Sequence, residues 1–357
     1  DMVKNSGINV VEFPETQRLE LDNLIKDPAD LSNDVDYLSA MAFVSDIINY
    51  NGPDLTIENA VFSANLPGRV HHLVEGMTAT GRGTSFNNIS IKGVSDGLQA
   101  WQDGSGRYLA ENQALVNIMG GAFSDVVPYV QLNTPVTQVN YTDLNKIVLT
   151  DANGETHECT ILIVTVPIPI IKNGDIVFTP ELPITNTAAL DRIGMDAGYK
   201  VMLGFYVNFW GKDIGTIYTN GTAREYYAPG IGRDKENRIL AALIMGDKAE
   251  ALAGKTEDEI VQLLLSELDA LYDGEASQQF DDSSTYVMDW GANPYFKGVK
   301  SYPMVSGTGA ARQYATPVDN RIFFAGEATA LNGNYGTVQG ALESAERVVK
   351  EVLEVIL

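Results

Sequence analysis

The stretch that decides the fold is FFAGEATALNGNYGTVQGAL, residues 323–342, close to the C-terminus. Ile322–Ala325 is an apolar run that predicts a buried strand, and Gly336 precedes a segment with the apolar spacing of an amphipathic helix. The first amides of a helix have no partner within it, so they favour negative charge or carbonyl oxygens nearby. Strand, glycine-rich turn and helix is also a common structural junction. From the residues alone, the loop is therefore either a site where a ligand approaches backbone amides or a junction that serves packing.

The composition bounds the class of protein. A chain of 357 residues with 45% hydrophobic content can bury a substantial core, and its length favours two domains. The longest apolar run, residues 161–171, is about half of what a membrane span needs and contains two prolines. The sequence therefore predicts a soluble globular protein without a transmembrane helix or a signal peptide.

The charge balance excludes several partners. The 24 basic and 47 acidic residues give a net charge of −23, which repels nucleic acid and anionic membrane surfaces. This charge serves either solubility, for example in a saline habitat, or the attraction of cationic small molecules. The single cysteine, Cys159, excludes a disulfide framework and a cysteine-rich zinc site. His71 and His72 are interpreted as adjacent residues of an extended segment that cannot share a metal, so no metal site is predicted.

The periodicity indicates mixed secondary structure. Residues 1–96 show no sustained period and predict an irregular, partly helical region. Tyr108–Met119 reads as a helix that ends at Gly120-Gly121. A β-meander follows, with its last strand fully buried, in four predicted strands: Val126–Leu132, Val136–Tyr141, Lys146–Thr150 and Glu158–Val166.

The second half of the chain alternates strands and helices. Lys200–Phe205 and Ile239–Met245 are predicted strands on either side of a polar excursion at 211–237. Thr256-Glu-Asp-Glu259 is a capping box that predicts the start of a helix, and a second amphipathic helix ends the chain. This interleaving predicts a mixed α/β or α+β chain with discontinuous domains.

Four stretches, in this order, resemble the flavin-dependent amine oxidases, the family of polyamine oxidases, monoamine oxidases and lysine-specific histone demethylases. Together the resemblance covers about residues 108–357. The stretches are VQLNTPVTQVNY (130–141) with ETHECTILIVTVPIPIIKNGDIVFTPELP (155–183), AGYKVMLGF (197–205), DWGANPYFKGVKSYPMVSG (289–307) and RIFFAGEATALNGNYGTVQGALESAERVV (321–349).

The resemblance implies how the chain would hold FAD. Val136 would meet the adenine part of the cofactor through its backbone, and Glu327 would hydrogen-bond the ribityl or pyrophosphate region. Gly326 would allow close approach. Thr337 and Val338 would present the amides of a helix start to the flavin, where they stabilise negative charge on the ring.

The resemblance also implies two residues close to the flavin. Lys200 aligns with the lysine that holds a water near the flavin, where it would assist imine hydrolysis or oxygen activation. The alternative is a lysine at the end of a strand whose amine reaches solvent. Trp290 would pack beside the flavin, or serve as an ordinary core aromatic, and the two roles are compatible.

One departure from the family concerns the nucleotide-binding motif. Family members open with a strand, a Gly-x-Gly-x-x-Gly turn and a helix that bind the FAD pyrophosphate. Neither Gly81-Arg-Gly83 nor Gly307-Thr-Gly309 supplies the third glycine of this motif. We therefore expect that the N-terminal Rossmann βαβ unit is missing from this chain, because it was cut away, was not built or belongs to a second polypeptide. Catalysis by this chain alone is then in doubt.

A second departure concerns the substrate side. Where many relatives carry Gly-Ser-Tyr-Ser-Tyr, this chain has Gly298-Val-Lys300-Ser-Tyr302. A cation at Lys300 would repel a protonated amine and attract a carboxylate. The alternative is a shifted register in which Lys300 points to solvent. Tyr302 would stay on the substrate side.

The resemblance implies an FAD-dependent oxidase that converts an amine to an imine and reduces O2 to H2O2. An L-amino-acid oxidase is the alternative if Lys300 binds a carboxylate, and a non-catalytic binding subunit is the alternative suggested by the missing motif. Residues 1–100 and 190–300 are predicted to form the substrate domain. Residues 101–189 and 301–357 are predicted to form a partial FAD-binding domain.

Overall fold

The computed structural model describes residues 9–101, 106–111, 114–233 and 236–357, which form a mixed structure of helices and strands. The helices are α1 (Val35–Asp46), α2 (Ile57–Ser63), α3 (His71–Thr78), α4 (Ile91–Ala100), α5 (Leu115–Ala122), α6 (Ile168–Lys172), α7 (Ile184–Leu190), α8 (Asp247–Glu250), α9 (Glu257–Leu271), α10 (Glu275–Gln279), α11 (Ala310–Tyr314) and α12 (Val338–Ile356). The strands are β1 (Val10–Glu12), β2 (Gln17–Leu21), β3 (Leu24–Lys26), β4 (Tyr108–Ala110), β5 (Val136–Asn140), β6 (Ile147–Asp151), β7 (Thr156–Cys159), β8 (Leu162–Val164), β9 (Val177–Thr179), β10 (Ile193–Gly194), β11 (Gly198–Phe205), β12 (Thr216–Tyr218), β13 (Glu225–Tyr227), β14 (Ile239–Met245), β15 (Phe280–Asp289), β16 (Tyr302–Pro303) and β17 (Ile322–Phe324).

A seven-stranded sheet in the order β15-β11-β14-β13-β12-β2-β3 carries one half of the molecule. Because side chains alternate between the faces of a strand, Tyr199, Val201 and Leu203 of β11 point to one face. There they join a buried cluster with Ile260 and Leu264 of α9. The capping box of α9 forms as predicted, since Thr256 accepts from the Glu259 amide and the Glu259 carboxylate accepts from the Thr256 amide.

The opposite face of this sheet packs against the helices of residues 35–100. Tyr218 of β12 lies against Gly76 of α3, where an added Cβ would come within 2.8 Å of the tyrosine ring. A buried ion pair joins the same layers, because Arg224 Nε donates to Glu75 Oε2 of α3 at 2.7 Å. A separate apolar cluster lies among these helices. The helices are thereby fixed at one position over the sheet.

The other half contains two smaller sheets. The strands β7-β6-β5-β9 form one, and β8 and β17 form a parallel pair in which Leu162, Ile163 and Val164 face Ile322, Phe323 and Phe324. The cluster around them draws on residues 139–195 and 310–328, which are distant in sequence. This arrangement brings the end of β8 next to the loop that follows β17.

Several predicted elements were wrong at their bounds or in type. The predicted helix Tyr108–Met119 is instead a strand, β4, paired with β1, followed by α5, and positions 112–113 of the prediction lie outside the described residues. Pairing with a distant strand overrides the local helical pattern. Val126–Leu132 is not a strand, because it contains a 3₁₀ turn at Val127–Tyr129 and its side chains are exposed.

The middle of the chain differs in a similar way. The predicted strand Glu158–Val166 is divided into β7 and β8, which belong to different sheets and are not fully buried. The polar excursion at 211–237 contains β12 and β13, whose three-residue lengths are too short for a periodicity to be recognised. His71 and His72 begin helix α3 and do not lie on an extended segment.

We predict that Arg224→Met will lower the free energy of unfolding by about 3–5 kcal/mol, because it leaves the buried Glu75 carboxylate without its partner. The matched control is Lys146→Met, which breaks an exposed pair with Glu158 and should change the free energy of unfolding far less, because solvent screens exposed ion pairs. Urea denaturation of the three proteins measures both changes. Equal losses in the two variants would show that the buried pair does not anchor α3 to the sheet.

Candidate functional site

Glu327 lies where two parallel strands end. The strands β8 and β17 finish at Val164 and Phe324, and the carboxyl ends of parallel strands are the usual place for a ligand in an open sheet. The Glu327 carboxylate accepts three hydrogen bonds on Oε2: from Ser301 N at 3.2 Å, from Ser301 Oγ at 2.6 Å and from Gly336 N at 2.7 Å. One side chain thus joins the turn after β17, the segment at 300–301 and the loop that leads into α12.

Gly326 allows a close approach at this turn. Its φ of +117° lies in the region that favours glycine, and its amide donates to Ser344 Oγ of α12 at 2.8 Å. A Cβ added there would meet only the Thr165 carbonyl oxygen, at 3.6 Å. The open side of the turn borders a cavity of about 180 Å³ between the ends of β8 and β17.

Burial sets the protonation of Glu327. Burial raises the pKa of its carboxyl, while the hydrogen bonds from Ser301 and Gly336 and the charge of Lys300 lower it. The three hydrogen bonds from Ser301 and Gly336 all end on Oε2, so these donors do not occupy the other oxygen, Oε1. The residue can therefore accept a hydrogen bond from a hydroxyl group or, when protonated, donate one.

Thr337 begins the long C-terminal helix. Its Oγ1 accepts from Gly340 N at 3.0 Å and donates to the Asn334 carbonyl at 2.6 Å, which makes it the N-cap of α12. Val338 is the first residue of that helix and is 45% exposed. The helix start is therefore well formed and open on one side.

A larger cavity of about 490 Å³ lies beside the helix start. Thr337 lines it together with residues of the N-terminal helical region and of the segment before β16. The charged and aromatic residues that line it are Arg82, Trp101, Arg107, Lys300 and Tyr335. Of the residues predicted from the sequence, Lys300 and Thr337 meet here.

Lys300 is held in place by two glycines. A Cβ on Gly83 would lie 2.8 Å from Lys300 Cγ, and one on Gly336 would lie 3.0 Å from Lys300 Cδ. Burial, followed by the charge of Arg82, lowers the pKa of Lys300. The half-buried side chain lines the cavity, so the solvent-facing alternative for Lys300 has no support.

Tyr335 and Arg82 are site residues that the sequence reasoning missed. Tyr335 is a half-buried lining residue whose pKa is raised by burial and lowered by the Arg82 charge and hydrogen bond. Arg82 also donates to the Thr78 carbonyl at 2.6 Å. Tyr335 lies between Gly333 and Gly336 in the loop at 323–342, and this position was the signal in the sequence that could have identified it. No pattern pointed to Arg82, which is distant in sequence.

Lys200 lies on the same face of the seven-stranded sheet as Glu225, but it does not line the larger cavity. Its Nζ is 5.2 Å from the centre of the Tyr227 ring. The registers place Lys200 opposite Leu243, and Leu243 opposite Glu225, so Lys200 and Glu225 are separated by two strand spacings, about 10 Å. Glu225 is buried at 5% exposure, and its Oε2 lies 3.8 Å from the Cβ position of Gly81, which lines the cavity.

The other predicted residues lie elsewhere around the site. Trp290 packs edge-to-face on Phe296 at 5.4 Å, and Phe296 lines the smaller cavity. Tyr302 is buried in an apolar cluster, and its hydroxyl donates to Asp196 Oδ1 at 2.7 Å, so it lines neither cavity. Val136 opens β5 opposite Asp151. The cofactor contact of Val136 and the flavin contact of Trp290 stay predictions.

The described part of the chain shows neither a metal cluster nor a membrane-spanning helix. Within them, no group of three or more histidine, cysteine, aspartate or glutamate side chains is arranged to hold a metal ion. No helix in the same part of the chain has both the length and the apolarity for crossing a bilayer.

Comparison with known proteins identifies a family for the larger part of the chain. Residues 129–353 match the family described as flavin containing amine oxidoreductase. Lysine-specific histone demethylase 1 homolog 1 of Arabidopsis thaliana is 31% identical over 59% of this chain and 26% of its own length. Polyamine oxidase 4 of Oryza sativa subsp. japonica is 26% identical over 64% of this chain and 46% of its own length. The chain thus spans less than half of each of these curated relatives.

Solved structures show the same fold. Putrescine oxidase bound to putrescine matches with a TM-score of 0.80 over 99% of this chain and 84% of that one, at 15% identity. Cyclohexylamine oxidase from Brevibacterium oxydans IH-35A matches with a TM-score of 0.77 over 98% and 84%, at 16% identity. The predicted fold class, a mixed helix and sheet structure like that of the flavin amine oxidases, is confirmed.

We predict that Glu225→Gln will gain stability relative to the unmodified protein as the pH rises above about 4.5. Burial raises the pKa of Glu225 above its ordinary value of 4.5, although Arg107 and Lys300 lower it. A carboxyl whose pKa is higher in the folded protein than in the unfolded chain stabilises the fold fully at a pH below its unfolded pKa. This stabilisation is lost as the pH rises through its folded pKa. Glutamine does not titrate, so the difference in unfolding free energy should grow between about pH 4 and pH 8.

Urea denaturation across this pH range measures that difference. The control is Glu158→Gln, which changes an exposed residue of β7 and should follow the unmodified protein in parallel. Parallel curves for Glu225→Gln as well would mean that the Glu225 carboxyl ionises as freely in the folded protein as in the unfolded chain.

Proposed function

The chain belongs to the family of flavin containing amine oxidoreductases, and from this premise we propose that it oxidises an amine to an imine with FAD, while O2 is reduced to H2O2. The observation that carries the proposal is the environment of Glu327. A half-buried carboxyl is held at the carboxyl ends of two parallel strands, next to a glycine turn and the start of a long helix. This combination suits a polar, partly planar cofactor better than a packing junction, because a cavity borders the turn.

The residues present fit the part of FAD that the family assigns to them. Glu327 Oε1 would accept a hydrogen bond from a ribityl hydroxyl, and Gly326 leaves room for the cofactor at the turn. The amides at the start of α12, beyond Thr337, would face the carbonyl oxygens of the ring. Bound FAD would take two electrons and a hydrogen from the amine and pass the electrons to O2.

The protein itself would position the amine and control access of water. Lys200 is a half-buried cation on the sheet face towards the site, held over the Tyr227 ring at 5.2 Å. We assign it the role of holding the water that hydrolyses the imine or of promoting reaction with O2. Trp290 would cover the flavin from the side of the smaller cavity, since it packs on Phe296.

The FAD site would be completed by a further segment. The parallel pair β8-β17 consists of two short strands, and Ile163 of β8 is 41% exposed. Helix α12 packs on this pair through Val348 and Val352, and it also carries the exposed apolar residues Val349 and Leu353. A pair of parallel strands with open edges can accept a further strand, which would come from the same or from a second polypeptide. The pyrophosphate-binding motif would lie on that segment.

Two other functions fit the family less directly. An oxidase of amino acids is favoured by the cations that line the larger cavity, Arg82, Arg107 and Lys300. A non-catalytic subunit that keeps the fold as a binding module would explain the absence of a Gly-x-Gly-x-x-Gly motif from the sequence.

The absorption spectrum of the purified holoprotein tests the proposal. An oxidase should show flavin bands that bleach when an amine is added without oxygen, and it should release H2O2 when oxygen is admitted. A folded, colourless protein that does not take up added FAD would leave the binding module as the function.

We predict that Lys200→Met will slow turnover of the holoenzyme by about 10²-fold or more, because the water or O2 that Lys200 positions would lose its fixed place, and misplacing a reacting group costs about this much. The flavin bands and the melting temperature should change little, since Lys200 forms no ion pair among the described residues. The comparison is Lys255→Met, an exposed lysine before α9, which should leave turnover unchanged. Unaltered turnover with Lys200→Met would remove Lys200 from the mechanism and leave the cofactor assignment standing.

A further inference from the structure

The larger cavity is basic although the protein is strongly acidic. The net charge of the chain is −23, yet Arg82, Arg107 and Lys300 all line the same cavity of about 490 Å³. They come from three separate segments of the chain. Three cations that line one cavity repel each other, and an anion bound between them reduces this repulsion.

These cations are not neutralised by ion pairs of their own. Among the described residues, none of the three has a carboxylate oxygen within 4.0 Å of its charged nitrogens, whereas Arg69 and Arg224 elsewhere are paired at 3.1 Å or less. Arg82 and Lys300 are half-buried, whereas Arg107 is exposed. Unpaired, half-buried cations at a cavity are costly, so Arg82 and Lys300 point to a ligand.

Two carboxyls lie nearby, and neither takes the place of that ligand. Glu327 already accepts three hydrogen bonds from Ser301 and Gly336. Glu225 is buried behind Gly81, and burial raises the pKa of its carboxyl. With both carboxyls ionised, the three cations and two anions still leave one positive charge at the cavity.

Neighbouring residues hold each of the three cationic side chains in position. Arg82 donates to the Thr78 carbonyl at 2.6 Å and hydrogen-bonds Tyr335. The Arg107 guanidinium lies 4.8 Å from the centre of the Phe13 ring. Lys300 is confined by the glycines at 83 and 336. Cations that are held in this way lose little freedom when an anion binds.

We propose that this cavity binds the carboxylate of an amine substrate, with Lys300 and Arg82 as the main anchors and Arg107 at the cavity edge. The inference rests on the proposed oxidase function and specifies its substrate as an amine that carries a carboxylate. Leu98 and Trp101 line the same cavity and would contact the apolar part of that substrate. A phosphate of the cofactor has the same chemistry, and the experiment distinguishes the two sources.

The test compares two substrates that differ in one group, 5-aminopentanoate and pentylamine, on the holoenzyme. We expect kcat/KM to be higher for 5-aminopentanoate, and Lys300→Met and Arg82→Gln each to lower that preference by at least about tenfold, the effect of one charge-assisted hydrogen bond. Lys300→Tyr should in addition raise kcat/KM for pentylamine, because it removes repulsion of the ammonium group. Lys297→Met, which breaks an ion pair with Asp175 outside the cavity, is the matched control.

A binding measurement separates this inference from the proposed function. Pentanoate, which cannot be oxidised as an amine, should bind the unmodified holoenzyme by calorimetry and bind Lys300→Met at least about tenfold more weakly. Pentanoate binding without turnover of either amine would refute the oxidase and retain the anion site. Turnover with no preference for 5-aminopentanoate in any variant would refute the anion site and retain the oxidase. Loss of bound flavin from Lys300→Met and Arg82→Gln, with unchanged substrate preference, would assign the cations to the cofactor phosphates.

Discussion

The arrangement of the site depends on one carboxylate. Glu327 follows β17 directly, and its Oε2 accepts hydrogen bonds from Ser301 and from the Gly336 amide. These contacts fix the segment that carries Lys300 and the loop that leads into α12 against the end of the parallel strand pair. A buried carboxyl is costly unless donors surround it, so the three segments and the acid stabilise one another. The same contacts bring Lys300 and Thr337 to one cavity.

The charges of the molecule are divided between surface and cavity. The chain carries 47 acidic residues against 24 basic ones, and several arginines are paired with these acids. Lys300, Arg82 and Arg107 instead line a cavity without such a pair within the described residues. Long-range attraction by the acidic surface favours cationic molecules, whereas the cavity favours an anionic group. In a molecule with both groups, the amine would be attracted by the acidic surface and the carboxylate by the basic cavity.

The backbone that carries the site could be predicted only in part. Long periodic segments, such as α9 with its capping box and α12, follow from local signals. The strand β4 does not, because its partner β1 is distant in sequence and decides its conformation. The strands β12 and β13 do not either, because three residues are too few for a periodicity to be recognised. The family was recognised from four ordered motifs, and the match over residues 129–353 confirms it. The domain boundaries and the roles of the individual site residues remain predictions.

The sequence by itself determined the family, the mixed fold and the loop at 323–342 as the place where a strand, the acid and a helix meet. Those features are local, since they depend on apolar spacing, glycines and a capping threonine. Only the tertiary structure decided that Lys300 faces a cavity, that Tyr302 is buried with its hydroxyl on Asp196, and that Arg82 and Tyr335 belong to the site. These positions depend on contacts between segments up to 253 residues apart, such as Arg82 and Tyr335. No local pattern encodes such a contact, because it arises from the packing of separate elements.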